Sequence, residues 1–309
     1  MTPPRIGAAM RGAALTLVLA AVPAAATESG MGRYMPGLFA TPGAGIVPPA
    51  AGFYWQSSSF WYGGSAGRDF EIPNGNSIRL GMSADFLSSS FTGVWVPSNS
   101  ADGLSFAVAG SLPVQFMKVD ALDVRSDDVF GIGDIMVSPM VGYMSGKSFF
   151  NFGLRVFAPT GAYDRNRMAN IGMNYWTFSP TLGFTWMDMA MGRDFSVLAG
   201  FDINTRNGAT DYRSGNMFHA DAIFTQSFPN RFGVGLFGSV LYQTSDDDGP
   251  LADRLDGFRG RSFAVGPVLR YTGGTEAAPL VVALSWAPEF GTRNRLSGDG
   301  VFLNISGSF

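Results

Sequence analysis

The sequence predicts an all-β protein, a transmembrane, antiparallel, up-and-down β-barrel of about 12 strands with both termini on the periplasmic side. Two observations lead to this fold class: the composition of the chain and the two-residue period of its apolar positions. Of the 309 residues, 14% are aromatic, only 15% are charged and 41 are glycine. A soluble protein typically contains roughly 25% charged residues. The composition therefore favours strands that expose one face to lipid and the other to water.

The N-terminus has the pattern of a secretory signal. Arg5 and Arg11 precede an apolar run over residues 12–22, and three alanines follow at residues 24–26. A positive region, a short apolar core and small residues at the cleavage position are typical of a signal peptide. We expect residues 1–26 to be cleaved, because this apolar run is too short to cross a bilayer as a helix.

Beyond the signal, the chain divides into an irregular segment and a barrel. Residues 27–51 are rich in glycine, proline and alanine and show no periodicity, so we expect an irregular segment that lies in the periplasm or inside the barrel as a plug. Residues 52–309 contain recurrent alternating segments and form the predicted barrel. The predicted strands are 52–63, 77–97, 103–117, 129–145, 147–158, 172–188, 192–206, 215–229, 231–245, 258–272, 278–291 and 299–309.

The segment 147–158 illustrates the strand pattern. Phe150 and Phe152 share one face, whereas Asn151 and Gly153 share the other. A two-residue period carried by aromatic and β-branched residues indicates a strand. Within predicted strands, four prolines on the lipid side each remove a backbone donor, and the pattern alone does not account for them. These prolines are Pro139, Pro180, Pro267 and Pro288.

The predicted connections alternate between short joints and longer loops. The short joints are 145–147, 188–192, 229–231 and 272–278. Short turns on one side and long loops on the other are typical of outer-membrane barrels, and an even strand count places both termini with the short turns. A secreted soluble β-sandwich is the structural alternative, but it gives no reason for Trp and Phe along nearly every strand.

The last predicted strand stops on an aromatic residue, Phe309. Val301 and Leu303 share its apolar face, whereas Asn304 and Ser306 lie on the other. A terminal Phe on such a strand resembles the tail by which the barrel-assembly machinery recognises bacterial outer-membrane barrels. We therefore expect Phe309 to be an assembly signal.

Composition also excludes several classes of function. Cysteine is absent, which excludes disulfides, thiolate metal sites and thiol catalysis. The net charge of −3 provides no basic face for nucleic acid, so no nucleic-acid partner is expected. We expect no cofactor and no metal ion.

The sequence contains a single histidine, His219, and we expect no catalytic residues. Asp221 follows two positions later, so both side chains should face the lumen from one strand. A serine hydrolase would need a nucleophile beside the histidine. Ser227 shares this face but lies too far along the strand, so we interpret His219 as a lumen residue bonded to polar neighbours.

Seven charged or titratable residues fall on the inward face of their predicted strands. Two interpretations stay open for them: ion pairs that brace a narrow lumen, or a polar lining that selects permeants. These lumen candidates are Asp134, Arg155, Asp202, His219, Asp221, Arg270 and Glu289.

Arginines are concentrated in the long loops at the predicted extracellular end. They could bind lipopolysaccharide phosphates or steer anionic substrates, and they could equally pair with loop aspartates. These loop candidates are Arg165, Arg167, Arg213, Arg259, Arg261, Arg293 and Arg295.

An ordered set of motifs covers almost the whole mature chain. The set comprises 131–135 (GIGDI), 157–164 (FAPTGAYD), 174–180 (NYWTFSP), 204–215 (NTRNGATDYRSG), 242–249 (YQTSDDDG), 257–261 (GFRGR) and 289–295 (EFGTRNR). In these motifs the chain resembles the outer-membrane proteins linked to the meta-cleavage pathway of phenol degradation. The resemblance implies an outer-membrane barrel of a Gram-negative bacterium that takes up aromatic or other small hydrophobic compounds.

Three function hypotheses follow. The first is a passive channel for small hydrophobic or aromatic compounds, which would have outer-membrane lipid and lipopolysaccharide as its neighbours. The second is a structural or surface barrel that transports nothing, and the third is a lipid hydrolase. Conductance and whole-cell uptake distinguish the first two hypotheses.

Overall fold

The structure, a computed structural model, describes residues 32–71, 77–121, 125–249, 252, 256–275 and 278–308. The expected signal peptide over residues 1–26 and the expected assembly signal Phe309 lie outside the described residues. Among the described residues, no helix has both the length and the apolar character needed to cross a membrane.

The described residues form thirteen strand segments, with a short 3₁₀ turn at Asp256–Phe258. The segments are β1 (Gly52–Glu71), β2 (Ser77–Val96), β3 (Leu104–Ala121), β4 (Arg125–Ile132), β5 (Met136–Ser145), β6 (Ser148–Phe157), β7 (Thr177–Asp188), β8 (Arg193–Asn204), β9 (Met217–Ser227), β10 (Phe232–Gln243), β11 (Arg261–Gly274), β12 (Pro279–Arg293) and β13 (Ser297–Ser308).

These segments close into one antiparallel barrel. Neighbouring segments pair in chain order around the wall, and β13 returns to β1 with Tyr54 opposite Ser308 and Ser65 opposite Ser297. β4 and β5 both pair with β3, one along each half of that strand, so they occupy a single position in the wall. The barrel therefore has twelve wall positions, which confirms the predicted fold class and strand count.

The prediction of one continuous strand over 129–145 is wrong. The wall strand breaks at residues 133–135, between β4 and β5. At the break, the Gly133 N–H donates to the Pro113 carbonyl at 2.9 Å, and Asp134 is buried. The interruption turns the Asp134 carboxylate toward partners inside the barrel, which a regular strand would not allow.

The first hairpins are longer than predicted. Residues 63–77 and 117–129 were expected to be loops, but β1 pairs with β2 as far as Glu71 opposite Ser77, and β3 pairs with β4 as far as Ala121 opposite Arg125. Residues 64–67 have the sequence Gly-Ser-Ala-Gly, in which apolar and polar side chains do not alternate, so the sequence did not predict a strand there. Backbone pairing extends these strands without an apolar pattern.

Side chains alternate across the wall as a lipid-facing barrel requires. Along β7, Phe178 and Leu182 are exposed, whereas Thr177, Thr181 and Thr185 are buried. The outer surface is accordingly apolar and the inner surface largely polar, which is typical of a transmembrane barrel.

Each of the four outward-facing prolines identified above lies where the paired register is interrupted. The β5–β6 pairing skips Pro139, the β7–β8 pairing skips Pro180, and the β11–β12 pairing skips the region that contains Pro267 and Pro288. At Gly266, beside Pro267, an added Cβ would overlap the Trp286 carbonyl oxygen, so the two backbones approach closely there. The prolines thus occupy local irregularities that need no ladder donor.

The two ends of the barrel differ. One end carries connections of 2–4 residues at 146–147, 189–192, 228–231 and 275–278, and we call it the short-turn rim. The opposite end, the long-loop rim, carries the loops 158–176, 205–216 and 244–260. The predicted alternation of connection lengths is present from β5 to β12. It fails elsewhere, because the β12–β13 connection at the long-loop rim has only three residues and the β2–β3 connection at the short-turn rim has seven.

The N-terminal segment, residues 32–51, contains no strand and folds through turns inside the barrel. The first strand, β1, begins at Gly52. The Leu38 N–H donates to the Met35 carbonyl at 3.0 Å, and the Ile46 N–H donates to the Gly43 carbonyl at 2.9 Å. Tyr34, Met35 and Ala40 are buried against the wall. The core of the molecule is thus the filled interior of the barrel.

Candidate functional site

The candidate site is the lumen, where the N-terminal segment meets the inner wall. All seven lumen candidates lie on the inward face, and among them His219 and Asp221 are each 1% exposed. The contacts of these residues divide into a cluster around Asp134, a cluster around Asp221 and His219, and two ion pairs farther along the wall.

Asp134 anchors the start of the N-terminal segment. The Arg33 Nη1 lies 2.5 Å from its carboxylate, and both side chains are nearly inaccessible. Arg33 also donates to the Tyr175 carbonyl at 2.8 Å. The same carboxylate accepts the backbone N–H groups of Gly161 at 2.7 Å and Met173 at 2.9 Å. One buried carboxylate therefore holds both the N-terminal segment and the loop 158–176.

Asp221 accepts the next set of donors from the segment. The Tyr34 hydroxyl donates to its carboxylate at 2.8 Å, the Gly37 N–H donates to it at 3.1 Å, and the Ser239 hydroxyl donates to it as well. Burial, together with the Asp221 carboxylate, raises the pKa of Tyr34 well above its usual value. The Tyr34 hydroxyl therefore keeps its proton and serves as the donor.

His219 lies against the same tyrosine. Its ring stacks on Tyr34 with centroids 4.3 Å apart, and its Nε2 lies 3.3 Å from the Asp202 carboxylate. Asp202, rather than the neighbouring Asp221, is therefore its acidic partner. The contacts of His219 are an aromatic ring and a carboxylate, as expected of a packed lumen histidine rather than of a base beside a nucleophile.

Arg155 faces the middle of the N-terminal segment. Its guanidinium carbon lies 3.8 Å from the centroid of the Phe39 ring, a cation–π contact in an enclosed place. The segment therefore presents aromatic as well as polar groups to the charged side of the lumen.

The two remaining lumen candidates form ion pairs within the wall. Arg270 Nη1 donates to Thr225 at 3.2 Å and lies 3.9 Å from Asp194. Glu289 accepts from the Tyr62 hydroxyl at 2.9 Å and lies 4.0 Å from Arg295.

The far part of the segment crosses to another region of the wall. The Gly43 N–H donates to the Ser196 hydroxyl at 3.0 Å, and the Gly45 N–H donates to the Thr185 hydroxyl at 2.9 Å. An added Cβ at Gly45 would lie 2.4 Å from the Phe184 carbonyl carbon, so only glycine fits this approach. The segment therefore spans the lumen from Asp134 to β7 and β8.

An apolar strip lines the opposite side of the lumen. It consists of inward-facing side chains of β13, β1, β2 and β3: Phe302, Phe60, Phe86 and Met117. The Phe60 ring centroid lies 5.5 Å from that of Phe302 and 5.3 Å from that of Phe86. The lumen thus has an apolar strip on one side, while its other side carries the charged groups together with buried apolar side chains such as Phe237 and Val268.

The loop arginines are all near the long-loop rim, and they differ in environment. Arg167, Arg213 and Arg259 lie 2.6, 3.7 and 2.6 Å from Asp127, Asp248 and Asp246 respectively. The other four are Arg165, Arg261 and Arg293, which are exposed, and Arg295, which is buried.

Arg295 lies in a loop, as predicted, but its side chain is buried. The β12–β13 connection is only three residues long, and Arg295 turns inward toward Glu289. The neighbouring Leu296 is 1% exposed, so this connection folds over the lumen instead of projecting from it.

Sequence reasoning missed the groups that hold the N-terminal segment. Arg33, Tyr34, Gly37 and Gly45 make its polar contacts, yet they lie in a stretch without periodicity. The presence of Arg33 and Tyr34 in an otherwise apolar, Gly- and Pro-rich stretch was the available signal.

Comparisons with known proteins agree with this architecture. A family model described as "Putative MetA-pathway of phenol degradation" matches residues 67–305. The comparison with curated proteins found no match.

Solved structures provide a second comparison. The COG4313 outer membrane channel from Pseudomonas putida F1 is 14% identical, with a TM-score of 0.66 over 90% of this chain and 100% of that chain. The beta domain of the Bordetella autotransporter BrkA is 11% identical, with a TM-score of 0.43 over 84% of this chain and 100% of that one. A Pseudomonas aeruginosa FadL homologue is 10% identical, with a TM-score of 0.41 over 92% and 98%. The first likeness establishes a shared fold, whereas the other two are too distant to add to it. The predicted β-barrel fold is thus confirmed.

Proposed function

We propose, from the premise that the chain belongs to the MetA-pathway family of phenol degradation, that it is a passive uptake channel for small hydrophobic or aromatic compounds. The observation that carries the proposal is the two-sided lumen. Phe302, Phe60 and Phe86 offer ring contacts along one wall, and charged groups lie along the other. A small aromatic ring with one polar substituent matches both walls.

A solute can pass through the lumen only if the N-terminal segment moves or leaves room beside it. Its polar anchors are few, chiefly Arg33 on Asp134 and Tyr34 on Asp221. In the proposed mechanism the segment undocks, the solute passes along the apolar strip, and it leaves to the periplasm or sideways into lipid. No energy source is needed for this diffusive path.

We also propose the orientation and partners of the barrel. The long-loop rim faces the exterior and its lipopolysaccharide, and the short-turn rim and both termini face the periplasm. Residues 1–26 are proposed to be a cleaved signal, and Phe309 a signal for the barrel-assembly machinery. Sequencing the mature N-terminus and measuring the assembled fraction after deletion of Phe309 test these two proposals.

Two measurements test the uptake function. In cells that grow on low concentrations of a phenol-like compound, deletion of the gene should slow uptake, and the wild-type chain should restore it. In planar bilayers, a variant that lacks residues 32–49 should conduct more than the wild-type barrel. Unchanged uptake after deletion, together with an unchanged conductance of the truncated barrel, would contradict the proposal.

One observation favours a second candidate, a structural barrel without transport. The N-terminal segment fills the lumen and buries Tyr34 and Met35 almost completely. If the segment never undocks, the truncated barrel conducts but the intact protein supports no uptake. For the hydrolase alternative, the contacts of His219 with Tyr34 and Asp202 offer no support.

A further inference from the structure

Two arginines face each other on the outer surface of the wall at the long-loop rim. Arg261 begins β11 and lies directly opposite Arg293, which ends β12. On the other side of β11, Arg261 lies opposite Tyr242 of β10. Tyr242, Arg261 and Arg293 therefore form one row across three strands, which we call the arginine row.

The arginine row points away from the lumen. Tyr242 is 47% exposed, and both arginines are exposed. By contrast, Ser262, the residue after Arg261 in β11, is fully buried and faces inward. Phe263 and Phe290 lie just below the row on the same face, with ring centroids 5.9 Å apart. Aromatic residues at this level are typical of the boundary between the hydrocarbon layer and the headgroups. The row thus lies at the height of the headgroups.

The charges of the row are not balanced within the part of the chain that the structure describes. Like charges directly opposite each other on antiparallel strands repel. Among the described residues, no carboxylate lies within 4 Å of Arg261 or Arg293. Arg259 lines the same cavity as the row, and its own partner, Asp246, lies 2.6 Å away. Among the described residues that line this cavity, three are arginines and one is an aspartate.

We propose that the arginine row binds a phosphate group of lipopolysaccharide, the glycolipid of the outer leaflet. This proposal rests on the orientation proposed above, with the long-loop rim outward. Planar guanidinium groups bind phosphate through paired hydrogen bonds, and two of them on adjacent strands can hold one phosphate between them. A bound phosphate also removes the repulsion between Arg261 and Arg293.

The position of the row decides between a lipid phosphate and a free phosphate ion. The row faces the membrane side of the wall, and the exposed ring of Phe290 lies beneath it. A phosphate attached to acyl chains can therefore occupy the row while its chains lie along the apolar wall. A free phosphate ion would gain none of this apolar contact.

Binding of purified lipid A to the detergent-solubilised full barrel tests the proposal. The double variant Arg261→Gln/Arg293→Gln should bind diphosphorylated lipid A at least tenfold more weakly than the wild type. Arg165→Gln, an exposed arginine of the same rim outside the row, is the matched control and should bind as the wild type does. The shift in gel mobility on heating reports that each variant is folded.

Three further binding measurements test whether the lipid phosphates and the two guanidinium groups are responsible for binding. Lipid A without phosphates should bind the wild type as weakly as diphosphorylated lipid A binds the double variant. Arg261→Lys/Arg293→Lys should recover part of the affinity, because charge remains but the paired geometry is lost. Asp246→Asn should tighten binding several-fold, because it removes a negative charge from the cavity beside the row.

Several results would overturn the proposal. Equal binding of lipid A by the wild type and the double variant would do so. Full competition by millimolar inorganic phosphate would show that the row takes a free anion, and tighter binding of phosphatidylglycerol than of lipid A would show a phospholipid site. Lipid A binding is measured on the purified protein without a permeant. The binding result can therefore be interpreted even if the uptake proposal fails, and the uptake result can be interpreted even if lipid A does not bind.

Discussion

The Tyr34 hydroxyl donates a 2.8 Å hydrogen bond to the Asp221 carboxylate, although the two residues lie 187 positions apart in the chain. This contact joins the N-terminal segment to the inner wall of β9. The Tyr34 ring also stacks on His219, so one side chain contacts two buried residues of the wall. The position of the segment, and with it the free cross-section of the lumen, therefore depends on a small number of named contacts.

Replacing Tyr34 by Phe should loosen the N-terminal segment without unfolding the barrel. The ring contact with His219 remains, but Asp221 loses one of its donors. A hydrogen bond to a buried charged group contributes about 1.5–3 kcal/mol, which corresponds to roughly a tenfold to hundredfold shift toward the undocked segment. Single-channel recordings should show more frequent or longer openings.

The control for this change is Tyr143→Phe. Tyr143 lies on β5, faces outward and is 46% exposed, so removal of its hydroxyl should leave the recordings unchanged. Identical openings in the wild type and Tyr34→Phe would mean that the hydrogen bond to Asp221 does not hold the segment.

Replacing Gly45 by Ala should undock the far part of the segment. The added methyl group would lie 2.4–2.5 Å from backbone atoms of Phe184 and Thr185, and paired strand backbone cannot yield easily. Overpacking of this kind costs about 1–3 kcal/mol. A protease added to the intact, folded barrel should cut residues 32–51 faster in this variant.

Gly93→Ala is the matched control, because an added methyl group at Gly93 meets nothing within 4 Å. The cutting rate should then equal that of the wild type. If Gly45→Ala and the wild type were cut at the same rate, the close approach to β7 would have no role in docking.

Asp134 should couple the N-terminal segment to the loop 158–176. Asp134→Asn removes the charge that pairs with Arg33 and weakens the acceptor for the Gly161 and Met173 N–H groups. Breaking one side of a buried ion pair costs about 3–5 kcal/mol. Hydrogen exchange should therefore accelerate at Gly161 and Met173 and also along residues 32–38.

A double-mutant cycle with Arg33→Gln distinguishes coupling from general loosening. The double variant should be less destabilised than the two single variants together, with a coupling free energy of about 1–3 kcal/mol. Additive effects would show that the two side chains act independently.

Alternation predicted the barrel because each strand repeats the same local rule. Phe150 and Phe152 face outward and Asn151 faces inward, as their positions in the pattern require. Strand count, closure and the inward face of the charged residues follow from that rule. The alternation predicts nothing where the side chains are small. For this reason the sequence predicts a loop beyond residue 63, where the structure has the β1–β2 hairpin.

The contacts inside the lumen could not be predicted from the same rule. Asp202 rather than Asp221 is the partner of His219, and Asp221 instead accepts the Tyr34 hydroxyl. That outcome depends on a segment without periodicity, whose path is set by tertiary contacts. The inward turn of Arg295 toward Glu289 likewise depends on the short β12–β13 connection, which sequence spacing alone does not reveal.

The apolar strip should determine how well aromatic solutes pass. Phe86 is its most suitable test position, because its side chain faces the lumen beside Phe60 and is only partly buried. A contact between two aromatic rings contributes about 0.5–1.5 kcal/mol beyond area burial. Phe86→Gln should therefore slow uptake of a phenol-like solute about twofold to tenfold at low concentration.

The matched variant Phe86→Leu keeps an apolar side chain but loses the ring contact, so its uptake should lie between those of the wild type and of the Gln variant. Ion conductance of the undocked channel, measured in a Tyr34→Phe background, should stay the same for Gln and Leu because neither change narrows the lumen. Radiolabelled solute uptake by cells with equal amounts of folded barrel provides the measurement. A Gln variant that takes up the solute as fast as the wild type would exclude ring contact at Phe86 from the permeation path, and the solute would then have to pass along the charged wall.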